Sequence, residues 1–149
     1  MLTYNIQLAG YPYEKYDEKG ETNGNDFIAV FETFPWLEQL DSYDQIRAGC
    51  SATITLNSAA HNKSCWISIA GDRKKYLYLI GYVYLKLKKG LFGFGKEKIV
   101  KWVDIYETTD KDKIKSLIKL FSDEGFDQFS TELNMLKKYD SMEAYVPIT

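Results

Sequence analysis

Hydrophobic and polar positions alternate most regularly in two runs, 76–88 and 98–107, joined by a glycine-rich turn. A period of two places successive side chains on opposite faces of a strand. In the first run one face carries Leu77, Leu79, Val83, Leu85 and Leu87. The other face carries Tyr76, Tyr78, Ile80, Tyr82, Tyr84, Lys86 and Lys88. We therefore predict that the aliphatic face is buried, and that the tyrosine face stays partly in water because each tyrosine ring carries a hydroxyl.

Shorter runs predict more strands before these two. Residues 51–57 and 64–70 both alternate, and pairing them as a hairpin places Cys65 opposite position 56. Residues 2–8 alternate weakly and suggest an edge strand. Four consecutive strands with short connections favour an antiparallel meander.

Apolar residues three and four apart predict helices on both sides of this meander. Before it, Asn25 and Asp26 are good helix caps, and the stripe from Phe27 to Leu40 that follows them predicts two helical pieces, about 26–34 and 36–47. Pro35 either kinks the join or starts the second piece. After it, Thr109 and Asp112 resemble a capping box that opens a helix. That helix carries the stripe Ile114, Leu117, Ile118 and Phe121, and the last helix carries Phe126, Phe129, Leu133 and Leu136.

Together these elements predict an α+β fold, in which helices cover the aliphatic face of an antiparallel sheet of four to five strands. The chain of 149 residues fits one domain, 1–149. Within it, residues 9–25 predict a flexible loop because they combine glycine, proline and many charges. Residues 140–149 predict a loose tail.

Composition limits the cellular setting. Apolar residues make up 45% of the chain and charged residues 27%, as in a soluble domain. No stretch approaches the ~20 apolar residues that span a bilayer, so we expect no membrane partner. The start lacks a basic region followed by an apolar run, and the two cysteines do not suggest a disulfide scaffold. We therefore expect a cytoplasmic protein.

Candidate catalytic groups are few. Residues 90–96 match the glycines and lysine of a phosphate-binding loop, but Glu97 replaces the hydroxyl that holds magnesium, and a strand follows instead of a helix. His61 is the only histidine, and Cys50 and Cys65 are separated, so no metal-ligand set is evident. We predict a protein without enzymatic activity, cofactor or metal.

Aromatic side chains are the best candidates for partner contacts. They make up 15% of the chain, and large rings dominate binding energy at protein interfaces. If the tyrosine face is open, we expect the contacts to be Trp66, Tyr78, Tyr82, Tyr84 and Trp102. A competing surface is acidic and comprises the carboxylates in 104–112 and those of Glu38, Asp41 and Asp44, although such a group is more often a solvated helix face.

Charge is distributed unevenly. Residues 61–102 carry ten basic and two acidic side chains, between two acidic flanks. The basic, aromatic hairpin 73–101 supports an alternative function in single-stranded nucleic-acid binding. The sequence pI near 5.5 argues against a dedicated nucleic-acid binder. Two other interpretations remain open, namely lysines that protect sheet edges and a homodimer formed through the tyrosine face.

Four stretches give the chain a resemblance to a known family: 34–39, 51–55, 66–71 and 88–102. The last stretch begins with Lys-Lys-Gly-Leu-Phe-Gly-Phe-Gly-Lys and ends with Val-Lys-Trp. In the order of these motifs the chain resembles the small bacterial immunity proteins encoded beside polymorphic or contact-dependent toxins. The resemblance covers about residues 26–136 and carries over no inhibitory residue. It implies a non-enzymatic inhibitor that binds and blocks a cognate toxin domain.

Overall fold

The computed structural model describes residues 1–90 and 95–144. Their strands are β1 (Leu2–Gln7), β2 (Asp17–Thr22), β3 (Thr53–Ser58), β4 (Lys63–Gly71), β5 (Tyr76–Lys88), β6 (Lys98–Thr108) and β7 (Lys137–Glu143). Their helices are α1 (Gly24–Thr33), α2 (Trp36–Ile46), α3 (Lys111–Ser122) and α4 (Phe126–Leu133). Within these residues, no helix has the length and apolar character needed to cross a membrane.

All seven strands form one sheet in the order β2-β1-β3-β4-β5-β6-β7, and every neighbouring pair is antiparallel. The predicted α+β class, the antiparallel meander and the pairing of Cys65 with Leu56 are confirmed. The predicted count of four to five strands is wrong. The weak strand at the N-terminus, β1, lies inside the sheet between β2 and β3, not at its edge.

The two additional strands form the edges of the sheet. β2 lies within the segment predicted as a flexible loop, 9–25, and β7 begins before the predicted tail, 140–149, and covers its first four residues. Neither strand alternates apolar and polar residues. An edge strand needs no such alternation, because backbone hydrogen bonds to one neighbour can hold it while most of its side chains face water. Residues 145–149 of the tail, which include Val146 and Ile148, lie outside the described residues.

The helices begin and end close to the predicted positions. Asn23, not Asn25, caps α1 by accepting a hydrogen bond from the backbone N–H of Asp26. Pro35 immediately precedes α2, so its missing N–H costs the helix no hydrogen bond. Asp110, not Thr109, caps α3 by accepting from the backbone N–H groups of the two residues that follow Lys111.

The core lies between the helices and the tyrosine face of the sheet, which reverses the predicted orientation. Phe31 of α1 and Trp36 of α2 both contact the Tyr78 ring, with centroids 5.5 and 5.6 Å apart. Phe129 of α4 contacts Tyr82 at 5.0 Å. Tyr78 is 2% exposed and Tyr82 is 6% exposed, so the rings expected to stay in water form part of the core.

Candidate functional site

The register of the sheet shows which side chains share the face opposite the helices. Residues directly opposite each other in an antiparallel pair point to the same side. Trp66 pairs with Gly81, Ser68 with Leu79, and Ser64 with Val83. The polar face of β3 and β4 is therefore continuous with the aliphatic face of β5. We call this side of the sheet the open face.

The apolar part of the open face spans β4 to β7. It consists of Trp66, Leu77, Leu79, Val83, Leu85, Leu87, Ile99, Val103, Ile105 and Met142. Val103 and Ile105 are buried, whereas Leu85, Leu87, Ile99 and Met142 are 40–67% exposed. Within the described residues, the core and ring contacts of the helices lie on the tyrosine side. The aliphatic face predicted to be sealed by helices is thus the one they leave uncovered.

One end of this face extends beyond the rest of the sheet as a two-stranded arm. The pairing of β4 with β5 stops at Val83, and the pairing of β7 with β6 stops at Trp102. Residues 84–88 and 98–101 therefore pair chiefly with each other, and we call them the arm. Leu87 and Ile99 are directly paired on the open-face side of the arm and are 59% and 67% exposed.

The arm carries four lysines and no carboxylate. Lys88 forms an ion pair with Glu143 of β7, with Nζ and Oε2 2.9 Å apart. The Nζ of Lys86 lies 4.2 Å from the centroid of the Trp102 ring, in a cation–π contact. The arm is thus apolar on its open-face side, and three of its four lysines lie on the tyrosine side.

A groove of about 480 Å³ lies beside the base of the arm on the open face. Asn5, Asn57 and Ser64 contribute to its floor, while Glu18 of β2 and Lys101 of β6 both line it. Five strand spacings separate β2 from β6, about 24 Å in a flat sheet. Because residues from both strands line one groove, the open face is concave at this end.

Trp66 occupies the middle of the open face, and its position depends on a glycine. A Cβ atom built at Gly81 would overlap the Trp66 indole ring. The missing side chain therefore lets the ring lie flat against β5. An isolated glycine within a strand pattern indicates such a close approach, so the sequence did contain a signal for this contact.

Tyr84 and Trp102, predicted as partner contacts, instead belong to a hydrogen-bonded cluster around Asp104. The Tyr84 hydroxyl donates to Asp104 Oδ2 at 2.8 Å, and Ser141 Oγ donates to Oδ1 at 2.5 Å. The indole N–H of Trp102 donates to Ser141 Oγ at 2.8 Å. These bonds connect β5, β6 and β7.

Electrostatics keep this cluster in one protonation state at neutral pH. Burial alone would raise the pKa of the Asp104 carboxyl, but the hydrogen bonds from Ser141 and Tyr84 and the nearby Lys138 outweigh it and lower that pKa. Burial and the hydrogen bond to Asp104 raise the pKa of Tyr84. A carboxylate with a lowered pKa is a weak general base, so the cluster is better suited to holding strands together than to moving protons.

Of the acidic residues predicted as a rival surface, those at 38–44 lie on α2, in the helical layer, whereas those at 104–112 lie on β6 and at the start of α3. Glu38 and Asp44 are exposed. Asp41 is paired with Arg73 of the β4–β5 turn, with its Oδ2 atom 2.6 Å from Nη2 and 3.0 Å from Nε. Of the three carboxylates on α2, the middle one, Asp41, is therefore already engaged by Arg73.

His61 faces a carboxylate near the surface, whereas Cys65 lies in the core. Nε2 of His61 lies 3.2 Å from a carboxylate oxygen of Glu124, at the mouth of a cavity of about 310 Å³ beside α4. Cys65 is fully buried, and burial raises the pKa of its thiol to about 12. In residues 1–90 and 95–144, no group of three or more potential ligands is arranged to hold a metal ion. The apolar turn residues Leu91, Phe92 and Phe94 lie outside the described residues.

Comparison with known proteins gave no match: no family model fits the chain, and no curated protein or solved structure is detectably similar to it. The functional argument for the open face therefore depends on its geometry.

Of the five aromatic residues predicted as contacts, only Trp66 lies on the open face. Tyr78 and Tyr82 are in the core, and Tyr84 and Trp102 lie on the tyrosine side near the arm. The exposed aliphatic residues of the arm were missed because the sequence analysis assigned the aliphatic face of β5 to the core.

Proposed function

We propose that this protein is a non-enzymatic binding protein that docks a partner protein on its open face, as an antidote that blocks a toxin domain. The observation that carries this proposal is the uncovered apolar surface of β4 to β7, where four large aliphatic side chains are 40–67% exposed. Contiguous apolar patches on a protein surface typically mark interaction sites.

The layout of the face supports a protein as the partner. Its apolar centre around Trp66 is bordered by uncharged polar side chains of β1 and β3, such as Asn5, Thr55 and Asn57. Protein interfaces share this arrangement of an apolar core within a polar rim. Trp66 is also the type of side chain that most often dominates interface energy.

The identity of the partner as a toxin domain rests on the resemblance of the chain to small immunity proteins. The cytoplasmic location and the absence of catalytic activity belong to the same proposal. An inhibitor of this kind needs a rigid face that covers the target's working surface, and a seven-stranded sheet provides one.

The test is binding to the toxin domain encoded immediately beside this protein. Leu87→Glu combined with Ile99→Glu places two charges where the proposed contact is apolar, and both side chains are already more than half exposed. We expect at least a tenfold loss of affinity, about 1.4 kcal/mol, and loss of protection in a growth assay with the toxin.

The matched control is Met135→Glu, which alters a 74% exposed apolar side chain in the turn after α4. This variant should bind and protect like the wild type. If the arm variant also retains full affinity and protection, with its fold intact by circular dichroism, the open face is not the docking surface.

Single-stranded nucleic-acid binding is a second candidate, favoured by the four lysines of the arm. The rings on and beside the arm give it less support, because the Tyr84 hydroxyl is hydrogen-bonded to Asp104 and the Trp102 ring is in contact with Lys86. A gel shift at two salt concentrations discriminates the two functions. Retardation at low salt that is lost at high salt favours nucleic acid, and its absence at low salt removes this candidate.

A further inference from the structure

Formal charges on the open face lie on the outer strands, and those of Glu107, Lys137 and Asp140 on β6 and β7 are outside the lining of the groove. On the β2 edge, Glu18 and Glu21 lie opposite Asn5 and Thr3 of β1, so both carboxylates point to the open-face side. Near the arm, Lys101 lies opposite Leu85 and points to the same side. Between them, the open-face positions of β1, β3 and β4 carry no formal charge.

Charged residues of β2 and of the arm line the same groove. Glu18 and Lys101 line the same 480 Å³ depression, with Asn57 and Ser64 also in its lining. Lys63 lines it as well, but its Nζ lies 4.3 Å from the centroid of the Phe126 ring, on the helical side of the sheet. Glu18 and Lys101 are both exposed. Among residues 1–90 and 95–144, neither has an ion-pair partner within 4.0 Å.

Because Glu18 and Lys101 carry opposite charges and both line the groove, the electrostatic potential differs from one end of the groove to the other. A ligand that enters gains most when its own charges oppose those of the walls, and is repelled when turned around. Asn57 and Ser64 supply uncharged donors and acceptors suited to a peptide backbone.

We propose that the groove receives a protruding segment of the toxin domain, with a basic side chain against Glu18 and an acidic side chain against Lys101. The inference rests on the proposed function and adds the chemistry and orientation of the docked element. The concave shape favours this occupant. Two copies of the chain would oppose two concave faces, and a flat bilayer would not enter the groove.

The test compares single neutralising variants, Glu18→Gln and Lys101→Gln, in binding to the adjacent toxin domain at low and high salt. We expect each to lower affinity about tenfold at low salt, mainly through slower association, and to lessen the decline of affinity with salt. The matched controls Asp127→Asn and Lys111→Gln alter exposed charges of the helical layer and should leave both quantities at wild-type values.

The outcomes separate this inference from the proposed function. Wild-type affinity and salt dependence in both groove variants would overturn the charged segment and leave docking on the open face standing. Absence of any toxin binding by the wild type would overturn both. Sedimentation of the protein alone as a dimer that Glu18→Gln dissociates would assign the groove to a second copy and reject the toxin segment.

Discussion

At the scale of single residues, Gly81 and its partner Trp66 determine what the open face presents. The indole lies where a side chain at position 81 would lie, so the centre of the face is aromatic. Both residues could be identified in the sequence, but the register of β4 against β5 could not, and that register decides which faces of the two strands are continuous.

Gly81→Ala should destabilise the protein by about 1–3 kcal/mol, because the added methyl group overlaps the Trp66 ring and overpacks the strand. Urea unfolding measures this loss. Adding Trp66→Ala should recover part of it, because the two side chains then no longer compete for the same space. Equal losses in the single and double variants would mean that the glycine is needed for some other reason.

Asp104 should make stability depend on acid pH. Its pKa is lowered in the folded state from the ordinary value of an aspartate, so its contribution is present above that ordinary pKa and is lost as the pH falls through the lower folded-state pKa. Asp104→Asn should therefore be less stable at pH 6 and lose less further stability between pH 4 and pH 2. Urea unfolding at several pH values measures both effects.

The matched variant for this experiment is Asp127→Asn, an exposed carboxylate of α4. It should retain the wild-type decline of stability in acid. If Asp104→Asn declines as steeply as the wild type, the hydrogen bonds from Tyr84 and Ser141 do not lower the Asp104 pKa.

At the scale of secondary-structure elements, the sequence predicted well those with strong periodicity. The meander β3 to β6 and the helical stripes were found because each alternates or repeats clearly. The strands β2 and β7 were missed because edge strands need no apolar face, and their residues are mostly charged or polar.

The position at which α3 begins offers a direct test at this scale. The sequence suggested Thr109 as the cap, whereas Asp110 accepts both backbone hydrogen bonds at the start of the helix. Asp110→Ala should lower the free energy of unfolding by about 1 kcal/mol. Thr109→Ala should change it by less than about 0.5 kcal/mol, as for most surface substitutions. The reverse order would place the cap at Thr109.

At the scale of the whole molecule, the helices pack on the tyrosine side of β5. The aliphatic residues of β3 and β4, such as Ile54 and Ile67, are in register with Ile80 of β5 and form one continuous face with its tyrosines. Helices bury that face because it extends over more strands. The aliphatic side of β5 is more apolar in isolation, but the same face continues mainly with serine on β4 and with threonine and asparagine on β3. Single-strand periodicity could not reveal this, because burial depends on the whole sheet.

Within residues 1–90 and 95–144, the molecule therefore has two different sides: a helical layer over a tyrosine-rich core, and a sheet face with an apolar centre that the helices leave uncovered. The candidate site was therefore only partly visible in the sequence. Trp66 and the importance of the β5–β6 hairpin could be predicted, but the identity of the exposed side chains could not.

Backbone hydrogen exchange of the protein alone and in complex with the adjacent toxin domain tests the central claim most directly, namely that the open face docks a partner. We predict slower exchange on binding in the arm, 84–88 and 98–101, and no change in α2, which carries Glu38 and Asp44. Slower exchange confined to α2, with the arm unchanged, would contradict the claim and assign the interface to the acidic helix.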